Sequence, residues 1–296
     1  MDFRLKVFYT VAKRLSFTKA STELFMTQPA VTKHIHELEE EYKIKLFERH
    51  GNKITLTNAG ELLLKQSERI FEIYRDIEFE LNALSRKRSG VLRLGASTTL
   101  SQYIIPPLLA GFHQKFKEIK VSLLNGNTEQ VEKLLLKKDI ELGIIEGRSK
   151  DRSIKYTEFL KDELVLVCSS KNPLSRKEEL TPADLKKLSF IMRERGSGTL
   201  EVIEHALKPF KLKLSQLNVD MQLGSTESIK SYLLHSNSVA FISIHAITKE
   251  LKNNELSILD VKGLSIERWF YLISLQGKEE ALPELFRRYA LHDNLK

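Results

Sequence analysis

Thr27-Gln28-Pro29-Ala30-Val31-Thr32-Lys33-His34-Ile35-His36-Glu37-Leu38-Glu39-Glu40-Glu41-Tyr42 is the stretch on which the reading of the fold turns. Thr27 can cap the first free N–H groups of a helix, and Pro29 falls in the first turn, where a missing N–H costs nothing. Val31, Ile35, Leu38 and Tyr42 recur at helical spacing and form one apolar stripe. The opposite face carries Pro29, Thr32, Lys33 and His36, which are short, polar or cationic. A helix with that division suits insertion into a DNA major groove, although many amphipathic helices simply pack on a core. Its neighbours decide.

Working outward, Asp2 to Arg14 reads as a helix with Phe3, Val7, Phe8 and Val11 on one face. Ser16 is a cap for a second helix from Phe17 to Phe25, whose Ala20 permits close helix approach. Two short helices joined by a brief turn, the second polar on its outer face, make a helix-turn-helix. After Tyr42, the segments Lys45–Arg49 and Lys53–Leu56 flank the turn formers Gly51 and Asn52, which predicts a hairpin wing. Arg49 and Lys53 are then placed for phosphates or the minor groove.

The whole run from Phe17 to Gly60 resembles the winged helix of LysR-type transcriptional regulators. The likeness rests on Phe17-Thr18-Lys19-Ala20, Thr27 to Thr32, Leu38-Glu39, Leu46-Phe47-Glu48-Arg49 and Leu56-Thr57-Asn58-Ala59-Gly60. Lys43 departs from the pattern, standing where the family usually has a glycine in a left-handed conformation.

Composition sets the outer bounds. A chain of 296 residues, 42% hydrophobic and 29% charged, has room for about two domains with real cores. No apolar run approaches the ~20 residues of a membrane span, and no signal-peptide pattern opens the chain. One cysteine, Cys168, excludes an internal disulfide framework and a cysteine-rich zinc site, so a cytoplasmic setting is expected. The net charge is +8, but residues 1–90 hold only 16 Lys/Arg against 13 Asp/Glu. A DNA-binding reading therefore rests on pattern, not on bulk charge.

From Thr57 to Leu84 one long helix is expected, with Leu63, Ile70, Ile73, Ile77 and Leu84 near heptad core positions and Gln66 and Glu80 interrupting them. In the resembling family this helix pairs two subunits. Arg86-Lys87-Arg88-Ser89-Gly90 follows as a charged hinge. The rhythm then changes to alternating strands and helices, the mark of an α/β unit with a largely parallel sheet. Strands are expected at 91–95, 119–124, 140–145, 164–168, 190–192, 218–222, 239–242 and 269–274, and helices at 103–116, 131–137, 182–188, 199–207, 225–234 and 283–295. The resemblance implies two subdomains of periplasmic-binding-protein type, with crossings near Leu160–Glu163 and Leu264–Arg268. The expected boundaries are 1–58 for the winged helix, 59–88 for the linker helix, and 89–296 for the effector domain. Subdomain I would comprise 89–162 and 266–296, and subdomain II 163–265.

Ser97-Thr98-Thr99, Asn127-Thr128 and Ser225-Thr226 each follow a predicted strand and open a predicted helix. Free helix N–H groups with neighbouring hydroxyls bind anions, and ligands of open α/β sheets collect at the carboxyl ends of strands. Each hydroxyl could equally cap only its own helix. Arg193-Glu194-Arg195-Gly196-Ser197-Gly198-Thr199 adds Ser197 and Thr199 at another helix start, without the Gly-Lys-Ser/Thr ending of a nucleotide phosphate loop. Glu146, at a strand end beside Gly147, is the one carboxylate near this group. A small anionic or carboxylate-bearing metabolite is the expected effector.

Catalysis finds little support. Cys168 ends an apolar strand, the histidines are scattered, and His34 and His36 lie too close on a helix to share a metal. Glu39, Glu40 and Glu41 read as a solvated run. No cofactor and no metal are expected. The resemblance implies a sequence-specific regulator that contacts DNA through Gln28, Pro29, Thr32, Lys33, His36, Arg49 and Lys53. Its other partners would be a small-molecule effector, a second copy of itself in a homodimer or homotetramer, and RNA polymerase, with no membrane. Within the family, the sulfur-assimilation and carbon-fixation regulators are the nearest branch. The competing class is an enzyme or solute-binding protein carrying a winged-helix module.

Overall fold

The computed structural model describes residues 2–50, 53–84, 89–147, 151–277 and 281–292, without the side chains of 49, 50, 53, 292 and much of 72–84. It comprises two compact units, Met1–Leu81 and Asn82–Lys296.

In the first unit, every early helix begins on a capping side chain. Asp2 accepts from Arg4 N at 2.9 Å to start α1 (Phe3–Arg14), and Ser16 accepts from Lys19 N at 3.2 Å to start α2 (Phe17–Glu23). Thr27 accepts from Ala30 N at 3.4 Å to start α3 (Gln28–Tyr42), with Pro29 in its first turn. Val7, Phe8, Val11, Ala20, Val31, Ile35 and Leu38 close around Leu46 and Phe47 as one core. Tyr42 leaves the expected stripe and is exposed, because α3 overruns its core by a turn. Lys43 takes the left-handed conformation at φ +51°, and Ile44 N donates to Glu39 O at 3.1 Å. The cap geometry expected of glycine is thus present with lysine, at a cost of about 1 kcal/mol.

Glu39 corrects the reading of a solvated acidic run. Its side chain is only 10% exposed and reaches beyond its own helix. Oε1 accepts from Leu46 N at 2.9 Å and Phe47 N at 3.4 Å, while Lys45 Nζ donates to Oε2 at 2.7 Å. This carboxylate fastens α3 to the wing. The wing pairs β1 (Phe47–His50) with β2 (Lys53–Leu56) antiparallel, Phe47 opposite Leu56 and His50 opposite Lys53. The expected Gly51-Asn52 turn lies outside the described residues. Thr57 then donates to Lys45 O at 2.7 Å and caps Gly60 N at 3.0 Å, opening α4 (Asn58–Leu84). A Cβ on Gly60 would fall 2.1 Å from Leu46 O, so only glycine fits under the wing. Leu63 packs into the first core, whereas Leu62, Ile70, Ile73, Tyr74, Ile77 and Leu81 leave an exposed stripe along α4. The expected hinge residues 86–88 lie outside the described residues.

The second unit opens with β3 (Gly90–Ser97), α5 (Ile105–Lys115), β4 (Ile119–Gly126), α6 (Thr128–Leu136) and β5 (Leu142–Glu146). β3 lies parallel between β4 and β5. A π-helical turn, Leu100–Ile104, precedes α5, since Pro106 and Pro107 cannot donate and the helix restarts with both in its first turn. β6 (Ile154–Ser169) then runs far longer than the strand expected at 164–168. The chain continues through β7 (Ser189–Arg193), α7 (Gly198–Leu207), β8 (Asn218–Leu223), α8 (Thr226–Leu234), β9 (Val239–Ser243), α9 (Ile244–Lys252) and β10 (Leu256–Leu259). It returns by β11 (Ile266–Leu275) to α10 (Ala281–His292). The sheet order is β4-β3-β5-β11-β6-β9-β7-β8, with β10 also on β6.

β6 and β11 pair antiparallel from Ile154 opposite Leu275 to Leu164 opposite Ile266. One end of this ribbon joins β5 and packs with α6 through Val131, Leu135 and Ile273. The other joins β9 and the core of Phe190, Ile203, Leu207 and Phe241. Two lobes therefore share two strands, and the expected crossings lie on them: 160–163 falls within β6, and 264–268 leads into the start of β11. The expected helix at 182–188 is a 3₁₀ turn, Asp184–Lys187, and α9 with β10 went unforeseen. α9 follows β9 without a spacer, burying Ala246 and Ile247 with Ile244 and Leu251 packed beside them, so strand and helix read as one apolar run.

The Glu39 contacts make an acid-sensitive joint. Burial works against its ionised form, but Lys45 and the two backbone N–H groups outweigh burial and hold its carboxyl below the ordinary carboxylate value. A lowered folded-state value means the contribution is complete above the unfolded value and lost as pH falls below it. Glu39→Gln is expected to speed amide exchange of Leu46 and Phe47 at neutral pH by the equivalent of about 1.5 kcal/mol. It should also remove the acid-side weakening of the wild-type wing. Parallel exchange profiles for the two proteins would exclude this role.

Candidate functional site

The outer face of α3 carries a groove of about 660 Å³ lined by Gln28, Pro29, Thr32, Lys33, His36, Glu37 and Glu40. All five residues expected on α3 line it together. Thr32 Oγ1 donates to Gln28 O at 3.0 Å, which leaves its lone pairs and methyl free to face a base edge. Lys33 is 77% exposed, 3.8 Å from Glu37, and His36 lies 3.6 Å from Glu40. Such exposed pairs are weak and exchange readily for phosphate or base partners. Arg49 and Lys53 fall on β1 and β2, opposite Ile54 and His50 respectively, but their side chains lie outside the described residues.

In the second unit, the ends of β3, β5 and β7 and the starts of α6, α7 and α8 bring the hydroxyl clusters together. Glu146 is buried at the end of β5. Ser97 donates to its carboxylate, Thr199 Oγ1 does so at 3.4 Å, and Thr128 Oγ1 donates to its backbone carbonyl at 2.8 Å. Thr98 Oγ1 donates to Gly126 O at 3.2 Å and accepts from Arg193 Nη2 at 3.3 Å. Thr99 and Thr226 hydroxyls meet at 3.3 Å. Ser225 stays apart, capping its own helix through Ser228 N at 3.1 Å. Gly198 is fixed here by crowding, since a Cβ would fall 2.0 Å from Glu146 O.

Sequence reasoning left two buried arginines and an aspartate off the candidate site. Arg268 Nε donates to Asp162 Oδ2 at 2.7 Å, and its Nη1 donates to Thr199 Oγ1 at 2.9 Å. Ser243 Oγ completes the aspartate at 2.7 Å. Arg193 Nε and Nη2 grip Glu194 at 2.9 and 3.1 Å. Burial opposes the ionised Glu194, and the Arg193 guanidinium more than reverses it, holding the carboxyl below its ordinary value. Arg193 was visible at the head of its Gly-Ser-Gly loop, but Asp162 and Arg268 lie 106 positions apart and only strand pairing unites them. Three buried groups in this cluster have no hydrogen-bond partner among the described residues: Arg193 Nη1, Arg268 Nη2 and Ser197 Oγ. Two are cationic donors and one a hydroxyl, so the arrangement is complementary to an oxyanion.

Among the described residues nothing comparable suits catalysis. Burial pushes the Cys168 thiol up to about 11, so it is an inert core residue. Among the described residues, no group of three His, Cys, Asp or Glu is placed to hold a metal ion. No helix among them is long and apolar enough to cross a membrane.

A winged helix-turn-helix followed by a two-lobed α/β domain with a polar cluster where its lobes meet defines a ligand-responsive DNA-binding protein. Residues 3–61 match the bacterial regulatory helix-turn-helix family of lysR type, and residues 85–293 match the LysR substrate binding domain. The chain belongs to the LysR family of transcriptional regulators and is not an enzyme. It is 32% identical over 276 residues to the transcriptional activator CmpR of Synechocystis sp., covering 93% of this chain and 90% of CmpR. It is 29% identical over 264 residues to the regulator CysL of Bacillus subtilis, covering 89% and 87%. The solved regulatory domain of Synechocystis CcmR, in complex with 2-PG, matches with a TM-score of 0.64 and 30% identity, over 70% of this chain and 99% of that one. These relatives place the chain in the branch of sulfur-assimilation and carbon-fixation regulators.

Removing one partner of the buried pair on β6 and β11 strands the other charge. Arg268→Ala is expected to destabilise the second unit by roughly 3–5 kcal/mol in urea titrations. A loss below about 1 kcal/mol, the scale of an exposed pair, would contradict the description of this contact.

Proposed function

We propose that this regulator reads operator DNA with Gln28, Pro29, Thr32, Lys33 and His36, supported by Arg49 and Lys53 of the wing, and that a small anionic metabolite adjusts that reading. In this proposal the metabolite sits between the lobes, against Thr98, Arg193, Ser197, Thr199 and Arg268, with Ser97, Thr99, Thr128, Glu146 and Thr226 forming its surround. The subdomains would be 89–162 with 266–296 and 163–265, following the winged helix of 1–58 and the linker of 59–88. The exposed stripe of α4 would pair two copies, since an unpartnered apolar helix face this long is otherwise a liability. The cytoplasm is the setting this function requires.

The observation that carries the effector reading is the set of partnerless donors, Arg193 Nη1, Arg268 Nη2 and Ser197 Oγ. A buried donor left unpaired costs about 1–3 kcal/mol, more when charged. Phosphate or carboxylate oxygens can accept from each of the three, whereas a cationic molecule could not satisfy either guanidinium and an apolar one would satisfy none. The 2-PG held by the CcmR regulatory domain makes 2-PG the first compound to try.

Thermal unfolding of the full chain tests this with 2-PG, sulfate and glycerol as the neutral control. An anion at a hundredfold excess over its Kd is expected to raise the Tm by about 5 °C in wild type. Arg193→Ala should abolish the rise, and glycerol should do nothing. An identical response of wild type and variant to every anion would overturn the proposal.

A further inference from the structure

Phe25 sits in the turn between α2 and α3 and is 97% exposed. No other large hydrophobic among the described residues approaches this; the next, Leu62 and Leu81 at 61%, belong to the α4 stripe. Its backbone is left-handed, at φ +55°. Phe25 N donates to Thr22 O at 3.3 Å and Met26 N to Ser21 O at 2.9 Å, so α2 closes with a Schellman turn whose left-handed position usually holds glycine or asparagine. Met26 carries the hydrophobic contact of that turn into the core, while Phe25 carries none. Conformation alone does not single it out, because Leu15, Lys43, Lys138, Lys211 and Asn254 are also left-handed. Its full exposure in a strained position does.

For the isolated unit, phenylalanine is a poor choice on both counts. The left-handed backbone costs about 1 kcal/mol, and the ring gives up the roughly 1.5–3 kcal/mol that burial would contribute. Local rules broken without internal compensation mark positions shaped by a partner. The partner is indicated by place in the chain. Phe25 lies two residues before the Thr27 cap and three before Gln28, at the N-terminal end of α3. That end of a recognition helix is the one that approaches base edges. In the major groove the one apolar feature a base offers is the C5 methyl of thymine, for which an aromatic ring is a fitting contact.

We infer that Phe25 is a specificity-determining residue that packs on a thymine methyl in each half-site of the operator. The inference rests on the proposal that α3 reads base edges, and extends it to a residue outside the helix. Such a contact is apolar and releases no counterions, so it contributes to sequence preference without contributing to the salt dependence of binding.

The experiment uses the full chain and a random-sequence duplex library, with wild type, Phe25→Asn and Gln28→Ala selected in parallel. Asparagine tolerates the left-handed turn, so the variant should melt no lower than wild type. Wild type is expected to select a thymine in each half-site that Phe25→Asn no longer selects. Replacing that thymine by deoxyuridine, which lacks only the methyl, should weaken wild type about four-fold and leave Phe25→Asn unaffected. The salt slope should be equal for the two proteins. The same consensus and the same deoxyuridine effect for both would overturn the inference, as would a change confined to oligomeric state. If Gln28→Ala alters the consensus and Phe25→Asn does not, only the role of Phe25 falls. If neither does, the base-reading role of α3 falls with it.

Discussion

Asp162 and Arg268 face each other across the two strands that the lobes of the regulatory domain share, and their ion pair at 2.7 Å is sealed from water. The pair does more than close a gap. Ser243 at the end of β9 holds the free oxygen of Asp162, and Thr199 at the start of α7 takes a second nitrogen of Arg268. Thr199 also reaches Glu146 at the end of β5, and Ser97 of β3 meets the same carboxylate. One hydrogen-bonded chain thus runs from the second lobe to the first through the point where they join. A buried ion pair is weak evidence for stability but a strong constraint on geometry, since neither charge can move without the other. The hydroxyls of Ser243 and Thr199 are oriented by it directly.

In the proposed effector role, that constraint is what would let the site act as a switch. The partnerless nitrogens of Arg193 and Arg268 belong to guanidiniums already held by Glu194 and Asp162, so a ligand would meet donors that are fixed in advance. Preorganised donors lose little entropy on binding. A second bridge lies beside the cluster, where Tyr103 of the first lobe donates to Glu227 and its ring covers Lys230 Nζ at 4.9 Å. Lys230 is itself buried and tied to Glu250 at 2.7 Å and Ala246 O at 3.0 Å. Burial and the neighbouring Glu227 both push the Tyr103 phenol upward, keeping it a donor at all ordinary pH. Any change in the angle between lobes must break or remake these contacts.

Much of this was legible in the residues. The cap, proline and apolar spacing of 27–42 located α3, and hydroxyls after strands located three of the corners that converge on Glu146. Those signals are local, and local patterns survive in a sequence. What escaped was non-local or disguised. Glu39 sits in a run of three glutamates and looks solvated until the wing folds back over it. Asp162 and Arg268 acquire meaning only from the register of two strands far apart in the chain. Tyr42 keeps the helical period of its stripe but lies past the end of the core. Lys43 departs from its family's glycine and keeps the glycine's conformation, because the turn is held by Ile44 N and Glu39 O and not by the side chain.

The account holds that one anion site and one DNA-reading surface are energetically coupled, and coupling must be reciprocal. The most direct measurement titrates the full chain with a phosphate- or carboxylate-bearing metabolite, free and saturated with its selected duplex, and titrates duplex with and without metabolite. The account predicts that metabolite changes the DNA Kd by a factor of about 5–150, and that DNA changes the metabolite Kd by that same factor. A metabolite that binds the Arg193–Arg268 cluster and leaves the DNA Kd unchanged would contradict it.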